Sequence, residues 1–328
     1  MTIAIVIPSY KVREHIANVI AAIPPYCHLI YVVDDCCPQQ TGEFVTANVR
    51  DPRVRVVCNE RNRGVGGAVM AGYQAAISDG AKVIVKIDGD GQMEPSLVSR
   101  FIEPILQGQA DYTKGNRFYD LTNIGRMPPL RLLGNAVLSF MAKFSTGYWD
   151  VFDPTNGYTA IHADVARHLP LSKISQRYFF ETDMLFRLNT LRAVVVDVPM
   201  DAVYGDEKSN LKIRKIALEF LGKHVRNFHK RIFYNYFLRD FSAASLELLG
   251  GLALLVFGMT YGVGSWVEAA RADVTTPPGT VMLAALPVLL GVQLLLGFLS
   301  HDMQSVPRLP VHPLLPPATK STPLQSPC

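Results

Sequence analysis

The segment 279–299 reads GTVMLAALPVLLGVQLLLGFL and contains 21 residues without a charged side chain. About 20 apolar residues in a helix are enough to cross the hydrocarbon core of a bilayer. In lipid no water is available to satisfy backbone N–H and C=O groups, so such a segment has to be helical. A second apolar segment, about 245–266, is rich in glycine and carries Glu247 near its start. We therefore predict two transmembrane helices within 242–300.

The first 200 residues or so follow a different pattern, in which β-rich runs alternate with helical stretches. The strand candidates are nearly continuous apolar runs, typical of strands covered on both faces, and they are 3–8, 29–34, 54–59, 82–88 and 193–199. Helix-like segments such as 13–23 and 66–79 lie between them. Repeated strand–helix–strand units predict an α/β, Rossmann-like domain over 1–210, built on a mostly parallel sheet.

A basic segment, 211–241, separates this domain from the apolar helices. Residues 211–240 contain eight Lys or Arg and two acidic residues, with apolar residues at helical spacing. This pattern favours basic amphipathic helices lying on anionic lipid headgroups, with an ordinary solvated face as the alternative. The basic flank predicts that the N-terminal domain faces the cytosol. The proline-rich 301–328 is predicted to be a disordered cytosolic tail.

Two carboxylates in the segment KIDGDGQ, residues 86–92, follow directly after an apolar strand. They are Asp88 and Asp90, and glycines flank them. In α/β sheets ligands bind at the carboxyl ends of the strands, and glycines let a ligand approach the backbone. Hard oxygen donors at that position suit Mg²⁺ or Mn²⁺ bridging a diphosphate. A single D-x-D also occurs in acidic turns without a metal, so the pattern alone leaves both interpretations open.

Candidate contact residues also lie at the ends of two other predicted strands. The first strand ends at Pro8, with Tyr10 and Glu14 beyond it, and the second ends at the acidic pair Asp34 and Asp35. The end of a strand in an open sheet is a common position for contacts with a ribose or a base edge. We therefore expect a nucleotide along this edge. The net charge of +4 is too small to indicate nucleic-acid binding.

The glycine-rich run RGVGG, 63–67, argues against a dinucleotide-binding dehydrogenase. In that class the glycines follow the first strand, whereas here the first strand is followed by PSYKVRE and RGVGG follows the third. We interpret these glycines as turn and close-packing residues.

These motifs together resemble family-2 glycosyltransferases with a GT-A fold. The resemblance rests on IPSY, VVDDCCP, the segment 61–68, KIDGDGQ, DPTNGYTA and FFETDML, which occur in the order and spacing of that family. With two C-terminal spans, the chain is similar to polyprenyl-phosphate hexosyltransferases of the dolichol-phosphate mannose synthase type. The resemblance implies inverting transfer of one hexose from UDP-glucose or GDP-mannose to dolichyl or undecaprenyl phosphate at the cytosolic membrane face.

The resemblance also implies roles for individual residues. Those expected to contact the nucleotide are Pro8, Tyr10, Glu14, Asp34, Asp35 and Asp88. Those expected to bind Mg²⁺ or Mn²⁺ are Asp90 and Gln92. Arg117 and Arg131 are expected to bind the acceptor's phosphate, because guanidinium groups match phosphate oxygens in pairs. Glu181 and Asp183 are expected to line the sugar pocket, with a role as base or as helix-terminal acids left open.

Two other functions compete with this one. A processive polysaccharide synthase of the same fold should have more spans and a Q-x-x-R-W-type segment, which the sequence lacks. A non-catalytic, membrane-anchored binding protein should have lost the acidic pairs, which are present. The sequence leaves open the nucleotide sugar, the polyprenol and whether the protein is a homo-oligomer.

Overall fold

The computed structural model describes residues 1–119, 129–201 and 213–316, with the backbone alone for 129–132 and 213–217. The chain divides into two compact units. The first is Met1–Phe228 with the described part of Pro307–Cys328, and the second is His229–Val306.

The first unit contains all the described strands. They are β1 (Ile3–Ser9), β2 (Leu29–Asp34), β3 (Val54–Cys58), β4 (Val83–Lys86), β5 (Tyr112–Asn116), β6 (Thr159–His162) and β7 (Val195–Pro199). Its helices are α1 (Ile16–Ala21), α2 (Thr41–Asn48), α3 (Gly64–Ser78), α4 (Val98–Leu106), α5 (Pro129–Thr146), α6 (Ala163–His168) and α7 (Phe180–Leu191). The remaining long helices are α8 (Ile213–Phe233), α9 (Ala243–Arg271) and α10 (Pro278–Gln304).

The strands form one sheet in the order β3-β2-β1-β4-β6-β5-β7. Neighbouring strands are parallel except that β6 runs antiparallel to both β4 and β5. The predicted mostly parallel α/β sheet is confirmed, and each of the five predicted strands is present. Strands β5 and β6 were not predicted, because β5 reads YTKGN and β6 reads TAIH, which are not long apolar runs.

One hydrophobic cluster of the core lies between the sheet and the helices on one of its faces. Ile5, Val32 and Val85 are fully buried in the central strands, and Phe101 of α4 packs over them. The ring of Phe101 stacks on Tyr158 at a centroid distance of 4.0 Å. Each fully buried aliphatic or aromatic side chain of this kind contributes about 1.5–3 kcal/mol. This burial fixes the sheet edge on which the polar strand ends lie.

Helix α8 carries the basic segment predicted to be amphipathic. Its described apolar side chains Leu218, Leu221 and Val225 are exposed, spaced by three and four residues. Arg226 and Lys230 are exposed on the same helix. An exposed apolar stripe beside basic residues is typical of a helix at a lipid surface. Contact with lipid remains a prediction.

Helices α9 and α10 coincide with the two predicted spans and are long and apolar enough to cross a membrane. The two helices pack closely through glycine. A Cβ atom at Gly291 would lie 2.8 Å from the carbonyl oxygen of Gly251. Small residues at such a crossing let two backbones approach, as is common between helices in lipid.

The prediction of a disordered tail over 301–328 is wrong for the part that the structure describes. Residues 301–304 complete α10. Further on, the backbone N–H groups of Val311 and His312 donate to the buried carboxylate of Asp111, at distances from 2.9 to 3.0 Å. A buried carboxylate needs donors, and this proline-rich segment supplies them, which the composition did not indicate. Residues 317–328 lie outside the described residues.

Candidate active site

The polar strand ends predicted from the sequence lie along one edge of the sheet. Strands β2, β1 and β4 are adjacent and parallel, so their carboxyl ends meet there. The N–H of Asp35 donates to the carbonyl oxygen of Ser9 at 3.1 Å, which joins two of these ends. A Cβ atom at Gly89 would lie 3.0 Å from the side chain of Val12, so the D-x-D turn packs against the loop after β1. This edge is the candidate active site.

Asp34, an expected nucleotide contact, has both carboxylate oxygens hydrogen-bonded within the protein. Its Oδ1 accepts from the N–H of Cys37 at 2.7 Å, and its Oδ2 accepts from the N–H of Gly42 at 2.6 Å. Gly42 lies in the first turn of α2, where a negative charge is favourable. The side chain is 6% exposed. Asp34 therefore holds the start of α2 and has little surface to offer a ligand.

The neighbouring Asp35 holds the start of α3. Its Oδ1 accepts from Asn59 Nδ2 at 2.8 Å and from the N–H of Arg63 at 2.9 Å. Its Oδ2 accepts from the N–H of Gly64 at 2.7 Å. These bonds fix the loop that enters the RGVGG run. A nucleoside contact by Asp35 stays a prediction.

The glycines of the RGVGG run serve packing, as interpreted from the sequence. A Cβ atom at Gly66 would lie 2.3 Å from the carbonyl oxygen of Ser175 and 2.6 Å from Cβ of Phe180. Helix α3 lies so close to Ser175 and to the start of α7 that only a residue without a side chain fits at position 66.

The residues after β1 offer open surface. Pro8 is half-buried, and Tyr10 and Glu14 are exposed. Lys11, between them, adopts a left-handed conformation with φ of 61°, which is uncommon for a residue with a side chain. Tyr10 and Glu14 therefore lie on an accessible loop next to the D-x-D turn, and Pro8 lies near the end of β1 just before it.

The D-x-D turn holds the candidate metal ligands Asp90 and Gln92. Oδ1 of Asp90 accepts from the N–H of Gln92 at 3.0 Å, so the two residues belong to one tight turn. Within the described ranges, no group of three or more His, Cys, Asp and Glu side chains could hold a metal. Mg²⁺ commonly takes one or two carboxylates and completes its shell with water and substrate phosphates. The carboxylate and amide oxygens here fit such a metal, with a diphosphate supplying further ligands.

A small cavity of about 160 Å³ lies beside this turn. Gln92, Glu94 and Arg100 line it on the side of the turn, and Tyr119 and Met200 line it on the side of β5 and β7. The cavity extends the candidate site from the D-x-D turn toward the carboxyl ends of β5 and β7.

A buried lysine that the sequence motifs did not single out lies under Asp88. Nζ of Lys86, the last residue of β4, is 2.7 Å from Oδ1 of Asp88. Lys86 is 1% exposed. A Cβ atom at Gly157 would lie 2.3 Å from this Nζ and 3.0 Å from Oδ2 of Asp88. The signal that could have found Lys86 is its position as the one charged residue in the apolar run 83–87.

A second buried lysine continues this polar row across the sheet. Lys86 and Lys114 both pair in register with Thr159 of β6, and Lys114 pairs in turn with Asp197 of β7. Burial lowers the pKa of Lys114 to about 8, against the opposing influence of Asp153 and other carboxylates. Its ammonium donates to the carbonyl oxygen of Asn156.

Glu181, in the first turn of α7, faces this polar row. Burial raises the pKa of Glu181 to about 7, although the nearby Lys86 and Lys114 lower it. Asp88 acts in the same direction as burial. A carboxyl that titrates near neutral pH can both donate and accept a hydrogen bond. The structure thus brings Glu181 close to Asp88.

Asp183, two residues on, faces a different way, and its contacts do not support the expected place in the sugar pocket, which stays a prediction. Its Oδ2 accepts from the N–H of Ser175 at 2.8 Å, and its Oδ1 accepts from Asn227 Nδ2 at 3.0 Å. Asp183 is 1% exposed. Because both oxygens bind structural donors, this side chain joins α7 to α8.

Of the two expected phosphate-binding arginines, the structure describes the side chain of one. Nε and Nη2 of Arg117 donate to the two oxygens of Asp153, at 2.8 and 3.1 Å. Asp153 is fully buried, whereas the Arg117 side chain is 31% exposed. The carboxylate therefore fixes a partly exposed guanidinium. Arg131 belongs to α5, and its side chain lies outside the described residues.

The chain matches one family model and is similar to several known proteins. The family model described as glycosyl transferase family 2 matches residues 4–169. Undecaprenyl-phosphate mannosyltransferase of Micrococcus luteus is 31% identical over 209 residues, 62% of this chain and 84% of the relative. Polyprenol monophosphomannose synthase of Mycolicibacterium smegmatis is 29% identical over 201 residues, 60% of this chain and 75% of the relative. The crystal structure of glucosyl-3-phosphoglycerate synthase from Mycobacterium tuberculosis with Mg²⁺ and UDP has a TM-score of 0.49 and 19% identity, covering 71% of this chain and 78% of that one.

Proposed function

The chain belongs to glycosyl transferase family 2, and from that premise we propose that it transfers one hexose from a nucleotide sugar to a polyprenyl phosphate, with inversion at the anomeric carbon. The observation that carries the proposal is the D-x-D turn at the carboxyl edge of the sheet, with Asp90 and Gln92 in one tight turn. The relatives named for mannose transfer to polyprenyl phosphates support this acceptor class and favour a mannose donor such as GDP-mannose over UDP-glucose.

In the proposed reaction the acceptor's phosphate is the nucleophile. The second pKa of a phosphate monoester is about 6, so the dianion is present at neutral pH and requires no strong base. A phosphate oxygen forms a bond to the anomeric carbon while the bond from that carbon to the diphosphate breaks. The electron pair leaves with the nucleoside diphosphate. In-line attack inverts the configuration of the sugar.

Different residues are proposed to bind the nucleotide-sugar donor and the polyprenyl-phosphate acceptor. Asp90 and Gln92 would hold the metal, and Mg²⁺ or Mn²⁺ there supplies Lewis-acid stabilisation of the charge on the leaving diphosphate. Arg117, held in place by Asp153, is suited to bind the acceptor's phosphate through its guanidinium. Arg131 is proposed for the same role. Glu181 is proposed to bond to a sugar hydroxyl.

The two apolar helices support a location at the membrane, where the acceptor's phosphate lies. We place the catalytic domain on the cytosolic side because eight basic residues flank the first span. Cys36 is an exposed free thiol of that domain. A membrane-impermeant maleimide should label it in inside-out vesicles and leave it unlabelled in right-side-out vesicles. Labelling in right-side-out vesicles alone would reverse the orientation.

The full-length protein in lipid nanodiscs tests the function directly. Radiolabelled GDP-mannose and UDP-glucose are each supplied with undecaprenyl or dolichyl phosphate, with Mn²⁺ and then with EDTA. We expect label in an organic-extractable lipid with Mn²⁺ and its loss with EDTA. Label in an aqueous polymer would favour a processive synthase, and no transfer from either donor would favour a non-catalytic protein.

A matched pair of variants ties the activity to the D-x-D turn. Asp90→Asn should lower kcat by about 10²–10³, the size of effect seen when a charge-stabilising group is lost. Glu103→Gln, which changes an exposed carboxylate on α4, should leave kcat unchanged. Near-full activity of Asp90→Asn would show that Asp90 is not a metal ligand required for the reaction.

A further inference from the structure

Two motifs that are more than 60 residues apart in the chain meet at an ion pair between a buried lysine and a partly exposed aspartate. Lys86 and Asp88 belong to KIDGDGQ, and Gly157 belongs to DPTNGYTA. Nζ of Lys86 is bonded to Oδ1 of Asp88 at 2.7 Å. Gly157 covers this pair without a side chain, since a Cβ there would collide with Nζ. The pair is thus enclosed from three sides by strand β4, its turn and the loop before β6.

The environment of Lys86 requires a counter-charge. A buried ammonium without a partner is strongly unfavourable. The ring of Phe180 lies 6.0 Å from Nζ, the neighbouring residue on β6 is the uncharged Thr159, and Glu181, whose pKa Lys86 lowers, is a second carboxyl nearby. Asp88 supplies the negative charge in the ion pair that the structure gives Lys86. One carboxylate of the D-x-D motif is therefore largely neutralised before any ligand binds.

We propose that Lys86 is a positioning residue that fixes Asp88 as a hydrogen-bond acceptor for the nucleotide sugar and keeps it from becoming a metal ligand. The ammonium of Lys86 binds Oδ1 of Asp88. Oδ2, on the side of Gly157, can then accept a hydrogen bond from a hydroxyl of the nucleotide sugar. The neutralised carboxylate attracts a divalent cation weakly, since the ammonium opposes it at short range. Asp90 and Gln92 are then left as the protein's metal ligands. The inference rests on the proposed function.

Lys86→Met tests this by removing the ammonium while keeping much of the side chain's length. Mn²⁺ binding to the full-length protein without nucleotide is followed by the EPR signal of the free ion. We expect affinity for Mn²⁺ to rise about fivefold, because the adjacent positive charge is lost and Asp88 becomes available. In Lys86→Met/Asp88→Asn this gain should disappear. Unchanged or weaker Mn²⁺ binding by Lys86→Met would overturn the proposal.

Binding of the donor gives the second readout, by calorimetry with GDP-mannose or UDP-glucose in the presence of Mn²⁺. Lys86→Met should weaken donor binding about tenfold, since an unpaired carboxylate repels the diphosphate. The same substitution in an Asp88→Asn background should change it less than about twofold, as expected when one residue acts only through the other. An equal loss in both backgrounds would mean that Lys86 contacts the ligand directly and would overturn the proposal.

Two comparisons keep the test decisive. If Lys86→Met does not fold, Asp88→Asn, in which Lys86 keeps its charge, is compared with the double variant, which has neither charge of the pair. Equal donor binding by these two variants supports the proposal, and a further tenfold loss in the double variant overturns it. Lys114→Met removes the other buried lysine of the row, which bonds to Asn156, and its effect should be additive with Asp88→Asn. If the wild type binds neither donor, the proposed function fails, whereas the Mn²⁺ result still decides the role of Lys86.

Discussion

Asp111 and His312 are 201 positions apart in the chain, and the imidazole Nδ1 lies 2.8 Å from Oδ1 of the carboxylate. Asp111 is fully buried at the start of β5, and it also accepts from the N–H of Val194 at 2.8 Å. The ring of His312 stacks on that of His162 at 4.3 Å. The segment after α10 is therefore an integral part of the catalytic domain.

This contact predicts that the C-terminal segment stabilises the domain. His312→Ala should lower the free energy of unfolding by about 2 kcal/mol, because the buried Asp111 carboxylate loses a donor. Chemical denaturation in detergent measures the change. His168→Ala, which removes an exposed histidine at the end of α6, should change it by less than about 0.5 kcal/mol. Equal stability of the two variants would show that the segment is not needed for the fold.

Asp183 and Glu181 are predicted to respond differently to the same kind of substitution. Asp183→Asn places an amide where two donors, from Ser175 and Asn227, need acceptors. It should lower the free energy of unfolding by about 1–3 kcal/mol and leave the KM for the donor unchanged. Glu181→Gln should alter donor kinetics with little loss of stability. A raised donor KM in Asp183→Asn at full stability would return this residue to the sugar pocket.

Arg117 is predicted to serve the fold as well as the acceptor. Arg117→Met leaves the buried carboxylate of Asp153 without its bidentate partner, which should lower the free energy of unfolding by about 3–5 kcal/mol. Adding Asp153→Asn removes the uncompensated charge and should restore at least half of that loss. Denaturation of the single and double variants measures this. A single variant as stable as wild type would mean that Asp153 finds another partner.

The fold was predictable where burial alone decides the residue type. Strands β1, β2 and β4 lie at the centre of the sheet, and their apolar runs mark them almost to the residue. Strand β5 was missed because Lys114 and Gly115 interrupt the apolar pattern. Lys114 is tolerated there since carboxylates from distant parts of the chain surround it. Charge compensation of that kind depends on tertiary structure and leaves no local pattern.

The residues of the candidate site could also be predicted only in part, because their contacts depend on tertiary structure. The motifs correctly indicated which strand ends carry polar groups, because the carboxyl ends of parallel strands meet at one edge. They did not indicate which way each carboxylate points. The motifs predict a nucleotide contact for Asp34, yet its two carboxylate oxygens accept hydrogen bonds from the N–H groups of Cys37 and Gly42. The N–H of Gly42 is available because α2 begins at Thr41, and Cys37 lies in the loop before that helix.

The stability of the domain is predicted to depend on pH through His224 of α8. Burial lowers the pKa of His224 to about 4, and its Nδ1 lies 2.7 Å from Oγ of Ser145. Below its ordinary pKa of 6.5 the unfolded chain binds a proton that the native state does not. Stability is therefore lost as the pH falls from about 6.5 toward 4, by about 3 kcal/mol for this group.

A variant without a titratable group at position 224 isolates the contribution of His224 to the pH dependence. The comparison is needed because the pKa values of other buried groups shift in the opposite direction. Burial raises the pKa of Asp197 to about 6, so the native state retains a proton there that the unfolded chain releases. His224→Asn keeps a group that can bond to Ser145. Its deficit in stability relative to wild type should shrink by about 2–3 kcal/mol between pH 7 and pH 4.5, measured by denaturation in one detergent. In His168→Asn the difference from wild type should stay constant. A constant difference for His224→Asn as well would mean that the imidazole is protonated in the native state, and that α8 leaves the domain surface more readily than its buried contacts imply.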